Sequence, residues 1–481
     1  MIKPFFITTA IDYVNGEPHV GHAAEKVLTD TVARYHRDVV HEDTFFLTGT
    51  DENSLKNVQG AEKAGRPIDE YVKENAEAFK SLGGALGLSY DRFFRTTEPI
   101  HFEGVKKFWS AMDPSDLYKK SYHGLYCVGC EEFKLEKDLI DGKCPEHMTV
   151  PETVEEENWF FRLSAYSGRL KELIVSGKLL IVPEFRKNEV LSFIEMGLED
   201  FSVSRSVARA KGWGVPVPGD ESQIMYVWVD ALSNYITALD YAGDGAEYGK
   251  YWAGEGERIH IIGKGILRFH AIYWPAMLLS AKLPLPTVIY AHEYLTIDGQ
   301  KMSKSLGNVI YPRELVERFG KDGARYLLLS SIPYSKDGDL SWVKMTEKYN
   351  ADLANGLGNL VSRVMRMSDG LDADVKNVPV SPAFPDEVAK LLENYRFAEA
   401  LEKIWETVRD ANRYIEEEKP WELAKNDREK FAGVMSILLD RLAFLSVALV
   451  PFLPDTAKKI HLSLESRKTE ILFQRVKIEN S

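Results

Sequence analysis

The opening fifty residues constrain the fold more than any other stretch of this chain. Phe5-Phe6-Ile7-Thr8-Thr9-Ala10 is rich in aromatic and β-branched residues and reads as a strand buried in a parallel sheet. Asn15-Gly16 then marks a turn. A helix follows from near His19 or Gly21, running through Ala23, Val27, Thr31 and Tyr35. Thr44-Phe45-Phe46-Leu47-Thr48-Gly49 is a second strand, ending on glycine. Strand, helix, strand, with polar residues at the C-terminal ends of the strands, is the opening of a doubly wound, parallel, Rossmann-like nucleotide-binding sheet in the α/β class.

The chain has 481 residues, too many for one ordinary domain. The pattern divides it into residues 1–112, the first half of the nucleotide fold, and 113–218, an insertion. Residues 219–342 are the second half and 343–481 a helical bundle. Inside the insertion lie Trp159-Phe160-Phe161-Arg162-Leu163 and a helical stretch near Leu170 to Leu180. The second half resumes at Tyr226-Val227-Trp228. It continues through a strand at Ile259 to Gly263, a helix around His270 to Leu279, and a strand at Val288 to His292. In the last part Leu353, Leu357, Leu360 and Val364 recur at helical spacing, followed by helical stretches Leu391 to Glu418 and Ala424 to Leu449.

No apolar run approaches the ~20 residues that span a bilayer. The N-terminus, with one Lys and a short apolar run, reads as a buried strand and not a secretory signal. A cytoplasmic protein with no membrane association is expected. The net charge of −13 argues against a nucleic-acid partner, although a local basic track would suffice for one.

Two motifs carry chemistry. His19-Val20-Gly21-His22 puts two imidazoles on one side of a helix start, where unpaired N–H groups and the helix dipole already favour anions. Lys301-Met302-Ser303-Lys304-Ser305 follows the turn Asp298-Gly299-Gln300 and puts two ammonium groups on one loop. Read singly, the first could be a pair of capping or surface histidines and the second an exposed basic turn. Read together they suit a nucleoside triphosphate, with charge stabilised during in-line displacement at phosphorus.

Only three cysteines occur, and all fall in the insertion. Cys127-Val128-Gly129-Cys130 and Cys144-Pro145-Glu146-His147 have the spacing of a tetrahedral zinc knuckle. Four protein ligands close the coordination sphere, so the Zn²⁺ would be structural. Three reduced core cysteines are the plainer alternative.

The two charged motifs, with Leu306-Gly307-Asn308-Val309-Ile310 after the second, resemble the signature of class I aminoacyl-tRNA synthetases. Ala10-Ile11-Asp12-Tyr13-Val14-Asn15-Gly16 and Val227-Trp228-Val229-Asp230-Ala231-Leu232-Ser233-Asn234-Tyr235 are similar to the methionyl family in particular, which often carries such a knuckle in its insertion. The resemblance implies ATP with Mg²⁺, L-methionine and a tRNA(Met) with a CAU anticodon as partners, and ligation through methionyl-adenylate. It implies that His19, His22, Lys301 and Lys304 act on the phosphates. Gly21, Gly263 and Lys264 would help hold ATP, the last two within Gly263-Lys264-Gly265-Ile266-Leu267-Arg268-Phe269-His270. Ile11, Tyr13, Trp228, Ala231, Tyr235 and His292 would line the thioether pocket, where aromatic walls suit a polarizable sulfur. Asp51 would hold the substrate ammonium. Asn359, Arg363 and Trp421 resemble the anticodon-reading positions.

The chain departs from the family at Asn53-Ser54, where His-Gly is usual, and at Gly265, where an acidic residue is usual. These departures make a weakened or non-catalytic tRNA-binding paralogue the alternative expectation, with a cysteinyl-type synthetase as a second. No further domain follows the bundle, so a monomer is expected.

Overall fold

The computed structural model describes residues 3–129, 132–134, 136–145, 148–302, 307–368, 382–466, 468 and 470–477. They form two compact units. The first comprises residues 1–18, 43–81 and 90–291, the second residues 19–42, 82–89 and 292–481.

The first unit is built on a seven-stranded sheet. Its central strand, Pro4–Thr9, pairs in parallel with Asp43–Asp51 on one side and Glu257–Gly263 on the other. Arg92–Arg95 pairs in parallel with Asp43–Asp51, whose C-terminal end also takes the short strand Asp12–Tyr13. Val288–His292 and Leu180–Val182 complete the far side. Strand order therefore reverses between Pro4–Thr9 and Glu257–Gly263. In such sheets ligands lie beyond the carboxyl ends of the strands at this reversal. Phe6, Ile7 and Ile262 are fully buried there, as expected of strands covered on both faces. Gly49 has a steric reason: a Cβ at that point would collide with the carbonyl of Phe94 on the neighbouring strand.

The insertion folds as antiparallel sheet. Leu117–Cys127 and Glu152–Phe161 pair from Leu117↔Phe161 to Tyr126↔Glu152, flanked by Glu132–Lys134 and Phe201–Ser202. One expectation fails here. The helical stretch near Leu170 to Leu180 is a shorter helix, Ser167–Val175, and Leu180–Val182 is an edge strand of the large parallel sheet. Gly177, at φ +74°, breaks the helix. The β-branched Ile181 and Val182 then suit a strand.

The second unit gathers the helices Val20–Arg34, Pro312–Ser331, Asn359–Ser368, Phe397–Glu418, Arg428–Ala448 and Pro454–Ser466. A small sheet, Leu295–Ile297 with Gln300–Lys301 and Gly338–Leu340, belongs to it too. The stretch expected to be continuous from Leu391 breaks at Tyr395, which takes φ +58°, separating Asp386–Glu393 from Phe397–Glu418. Arg428–Ala448 is long and apolar enough by composition to cross a membrane, which a search for unbroken apolar runs missed. It buries Phe431, Met435, Leu438, Leu442 and Leu445 in the bundle, so its apolar character is that of a core helix.

Candidate active site

His19 caps the helix Val20–Arg34. Its backbone is extended, and its Nδ1 accepts from the Gly21 N–H at 3.1 Å. The His19 N–H in turn donates to Nδ1 of His22 at 3.1 Å, and the two rings stack at 3.8 Å. Both Nδ1 atoms therefore act as acceptors, which leaves the proton of each neutral ring on Nε2. The first turn thus holds two imidazole donors in fixed orientation, over a helix end that already favours anions. A larger residue at Gly21 would displace the His19 ring. A Cβ would lie 2.9 Å from Cε1 of His19 and 3.4 Å from the Met302 methyl.

That second contact brings the lysine loop to the histidines. Met302 packs at Gly21, and on the far side of the loop the Ile310 carbonyl accepts from the Val20 N–H at 3.0 Å. Both flanks of the loop therefore meet the first turn of the histidine helix. Lys301 ends the hairpin strand Gln300–Lys301. The turn is Asp298-Gly299, with φ of +50° and +73°, and its Gly299 N–H donates to Asp339 Oδ1 at 2.7 Å. Lys304 lies outside the described residues.

His292 lies in the same unit as these motifs, with Nε2 2.9 Å from Glu25 Oε2 on the histidine helix and Nδ1 2.9 Å from the Glu293 carbonyl oxygen. Burial opposes its charge, but Glu25 and Glu293 together hold the imidazole above its ordinary range.

The first unit carries the other predicted residues, in two groups. Tyr13 and Asp51 face each other across the short parallel pairing at the strand ends. Asp51 is buried, and Lys56 lies 4.5 Å over the Tyr13 ring. Ile11 is half-buried between the two strands that lead there. Trp228, Ala231 and Tyr235 lie on the helix Val227–Thr237, all buried, at spacings that share one face. Trp228 stacks on Phe269 at 3.8 Å and 9°. The Tyr235 hydroxyl is 2.8 Å from Nε2 of His270, whose Nδ1 is 2.9 Å from the Ile266 carbonyl oxygen. A carbonyl only accepts, so Nδ1 of His270 carries a proton and donates to Ile266. Gly263 and Lys264 stand at the end of the strand Glu257–Gly263, in a short turn with Gly265 exposed.

Three contributors escaped the sequence reading. Phe269 and His270 tie Trp228 to Tyr235, a role beyond their place in the Gly263–His270 segment. Glu52, fully buried, fixes the strand end beside Asp51. Arg95 grips both its oxygens at 2.7 and 2.8 Å, with Thr50 and Thr97 adding hydroxyls. The Thr-Asp-Glu sequence was the available signal. Ser54, one of the departures, needs no glycine: at φ −86° it caps the helix Leu55–Ala64, its hydroxyl accepting from the Asn57 N–H at 3.2 Å. Asn53 donates to the Thr96 carbonyl at 3.0 Å.

Comparison with known proteins decides the family. Residues 5–150 and 134–365 match the description tRNA synthetases class I (M), and residues 385–477 match the anticodon binding domain of methionyl tRNA ligase. The chain belongs to the class I methionyl-tRNA synthetase family. Over its full length it is 40% identical to the methionine–tRNA ligase of Caldanaerobacter subterraneus, covering 80% of that protein. Against that of Thermotoga maritima it is 41% identical, with 95% of this chain and 74% of the relative covered. A structure of Mycobacterium tuberculosis methionyl-tRNA synthetase in complex with methionyl-adenylate is similar at a TM-score of 0.89 and 37% identity, covering 100% of this chain and 99% of that one.

Two outlying groups can be set against this methionyl family. In the helical unit, Arg363 lies over the Trp421 ring at 5.6 Å and pairs with Glu416 at 2.7 Å. Trp421 is 39% exposed, and Asn359 is exposed one turn before Arg363. Arg363 and Glu416 also line a groove of about 390 Å³, together with Asn355, Arg409, Asn412 and Arg413. In the insertion, Cys127 and Cys144 are buried at 1% and 0%, although Ile140, Met148 and Val150 around them are exposed. A turn closes on Cys144, whose carbonyl accepts from the Met148 N–H at 2.7 Å. Cys130 and His147 lie outside the described residues.

Proposed function

We propose that the protein joins L-methionine to tRNA(Met) in two steps. The methionine carboxylate attacks the α-phosphate of ATP, giving methionyl-adenylate and pyrophosphate. The 3′-terminal hydroxyl of the tRNA then takes the methionyl group and releases AMP. The observation that carries this reading is the meeting of both flanks of the lysine loop with the first turn of the histidine helix.

In this reading His19 and His22 donate through Nε2 to phosphate oxygens, where charge spreads in the transition state. Gly21 lets the nucleotide approach, and Lys301 and Lys304 neutralise the leaving pyrophosphate. Gly263 and Lys264 hold the nucleotide, with Mg²⁺ accompanying ATP. Asp51 takes the methionine ammonium. Tyr13, Ile11, Trp228, Ala231, Tyr235 and His292 receive the side chain. Asn359, Arg363 and Trp421 read the CAU anticodon, the exposed indole face offering a stacking platform.

Cys127, Cys130, Cys144 and His147 hold a structural zinc. The two described cysteines fit that role as buried thiols set in the C-x2-C and C-x2-H spacing. Such an ion supplies folding energy to the insertion and no chemistry. Residues 1–112 and 219–342 act as the catalytic halves, 113–218 as the connective insertion and 343–481 as the anticodon-binding part of a cytoplasmic monomer.

Methionine-dependent exchange of labelled pyrophosphate into ATP tests the first step. Exchange at saturating methionine is expected. Its absence would leave a tRNA-binding paralogue, and exchange with cysteine instead would point to a cysteinyl-type enzyme.

A further inference from the structure

His260 is fully buried in the middle of the strand Glu257–Gly263, beside Thr8 of the central strand. An imidazole is an expensive occupant for such a position, where an aliphatic residue would leave no polar atom to satisfy. Its Nδ1 is 2.9 Å from the Thr8 hydroxyl oxygen. Its face lies on the Tyr235 ring, with centroids 4.0 Å apart and planes 29° from parallel. Trp252 lies roughly parallel to it at 6.0 Å. Among the described residues its Nε2 has no hydrogen-bond partner. Burial holds its pKa well below the ordinary histidine range, with His270 and Arg258 adding to the effect, so the ring is neutral.

Tyr235 joins His260 to the rings around Trp228. It is held on its face by His260 and at its hydroxyl by His270, and His270 stands edge-on to Trp228 at 6.3 Å. The Thr8 hydroxyl fixes the plane of His260, His260 fixes the plane of Tyr235, and the Tyr235 hydroxyl is hydrogen-bonded to Nε2 of His270. A chain of contacts thus runs from the central strand to Trp228.

We propose that His260 is a positioning residue for methionine selection, acting through the ring of Tyr235. This rests on the reading of Trp228 and Tyr235 as walls of the thioether pocket. An uncharged wall of fixed shape favours a polarizable thioether over side chains of similar length and different polarity.

The test is steady-state pyrophosphate exchange on His260→Phe, with active sites titrated, over separate methionine and ATP ranges. His260→Phe keeps a ring and loses the Thr8 hydrogen bond. The KM for methionine should rise about ten-fold or more while that for ATP stays within about two-fold. Discrimination against norleucine should fall in parallel. Thr8→Val, which removes the same hydrogen bond from the other side with little change of shape, should shift the methionine KM in the same direction even if His260→Phe folds poorly. In a Tyr235→Phe background, His260→Phe should add little, because both act along one chain. Additive effects, or an unchanged methionine KM per titrated site in both His260→Phe and Thr8→Val, would overturn the proposal. Absence of exchange in the unmodified protein would instead overturn the function it rests on.

Discussion

The first turn of the histidine helix and the aromatic cluster around Trp228 solve the same problem by different physics. His19 and His22 are half-exposed and held by main-chain hydrogen bonds, to the Gly21 N–H and from the His19 N–H. Trp228, Phe269, His270 and Tyr235 are buried and held chiefly by one another's rings. The first arrangement depends on local backbone, so its members can be lost without loss of the fold. The second is part of the core, so on the proposed reading binding and stability share residues. In the proposed reading, groups that stabilise charge are placed by the backbone, and a wall that fits an apolar side chain is placed by packing.

Mutation should separate the two. Trp228→Ala removes a buried indole from its stack and should cost about 3–5 kcal/mol of stability, read as a lowered denaturation midpoint, besides raising the methionine KM. His19→Ala should slow pyrophosphate exchange by about 10²–10³-fold. Its stability loss should be only the ~1 kcal/mol of a lost helix cap. If His19→Ala melts as far below the parent as Trp228→Ala does, the contrast between the two regions is wrong.

A smaller effect belongs to the helical unit. Trp421→Ala removes an exposed stacking surface and should weaken tRNA binding by about 1–3 kcal/mol, with pyrophosphate exchange unchanged. Gly265→Asp restores the family's carboxylate at an exposed turn and should lower the ATP KM by a few-fold at most, about the worth of one hydrogen bond.

The smallest effect is a pH dependence. His292 is held above its ordinary value of 6.5 by Glu25, so the pair contributes stability that is full below pH 6.5 and lost as pH rises through the folded-state value. The stability advantage of the parent over Glu25→Gln should shrink as pH rises from 6.5, as followed by thermal melting in a pH series. A constant difference would mean that the imidazole does not titrate with the pair.

The same contrast explains what could be read without coordinates. The helix start at His19, the strands at Pro4–Thr9 and Val288–His292, and the histidine and lysine motifs follow from short-range signals. Phe269 and His270 carry no such signal, because their importance lies in rings brought from Trp228 and Tyr235 by the fold. Leu180–Val182 failed for a related reason. A short apolar run after a helix is ambiguous until a sheet edge is there to receive it. Ser54 is the opposite case: glycine is usual there in the family, yet its φ of −86° is one that any residue adopts.

Arg325 bears on whether the parts of this chain can live apart. It is wholly enclosed, with NH1 2.7 Å from Asp30 on the histidine helix, and it donates to the carbonyls of Phe452 and Pro451 at 2.8 and 3.2 Å. The rod that carries His19 and His22 is thereby fastened, near its other end, to the segment just after Arg428–Ala448. A fragment cut off before that helix would bury a guanidinium with two acceptors missing, and the histidine rod would lose an anchor. The histidine helix is therefore not part of a module that can be shortened at will. Its anchoring depends on residues hundreds of positions downstream.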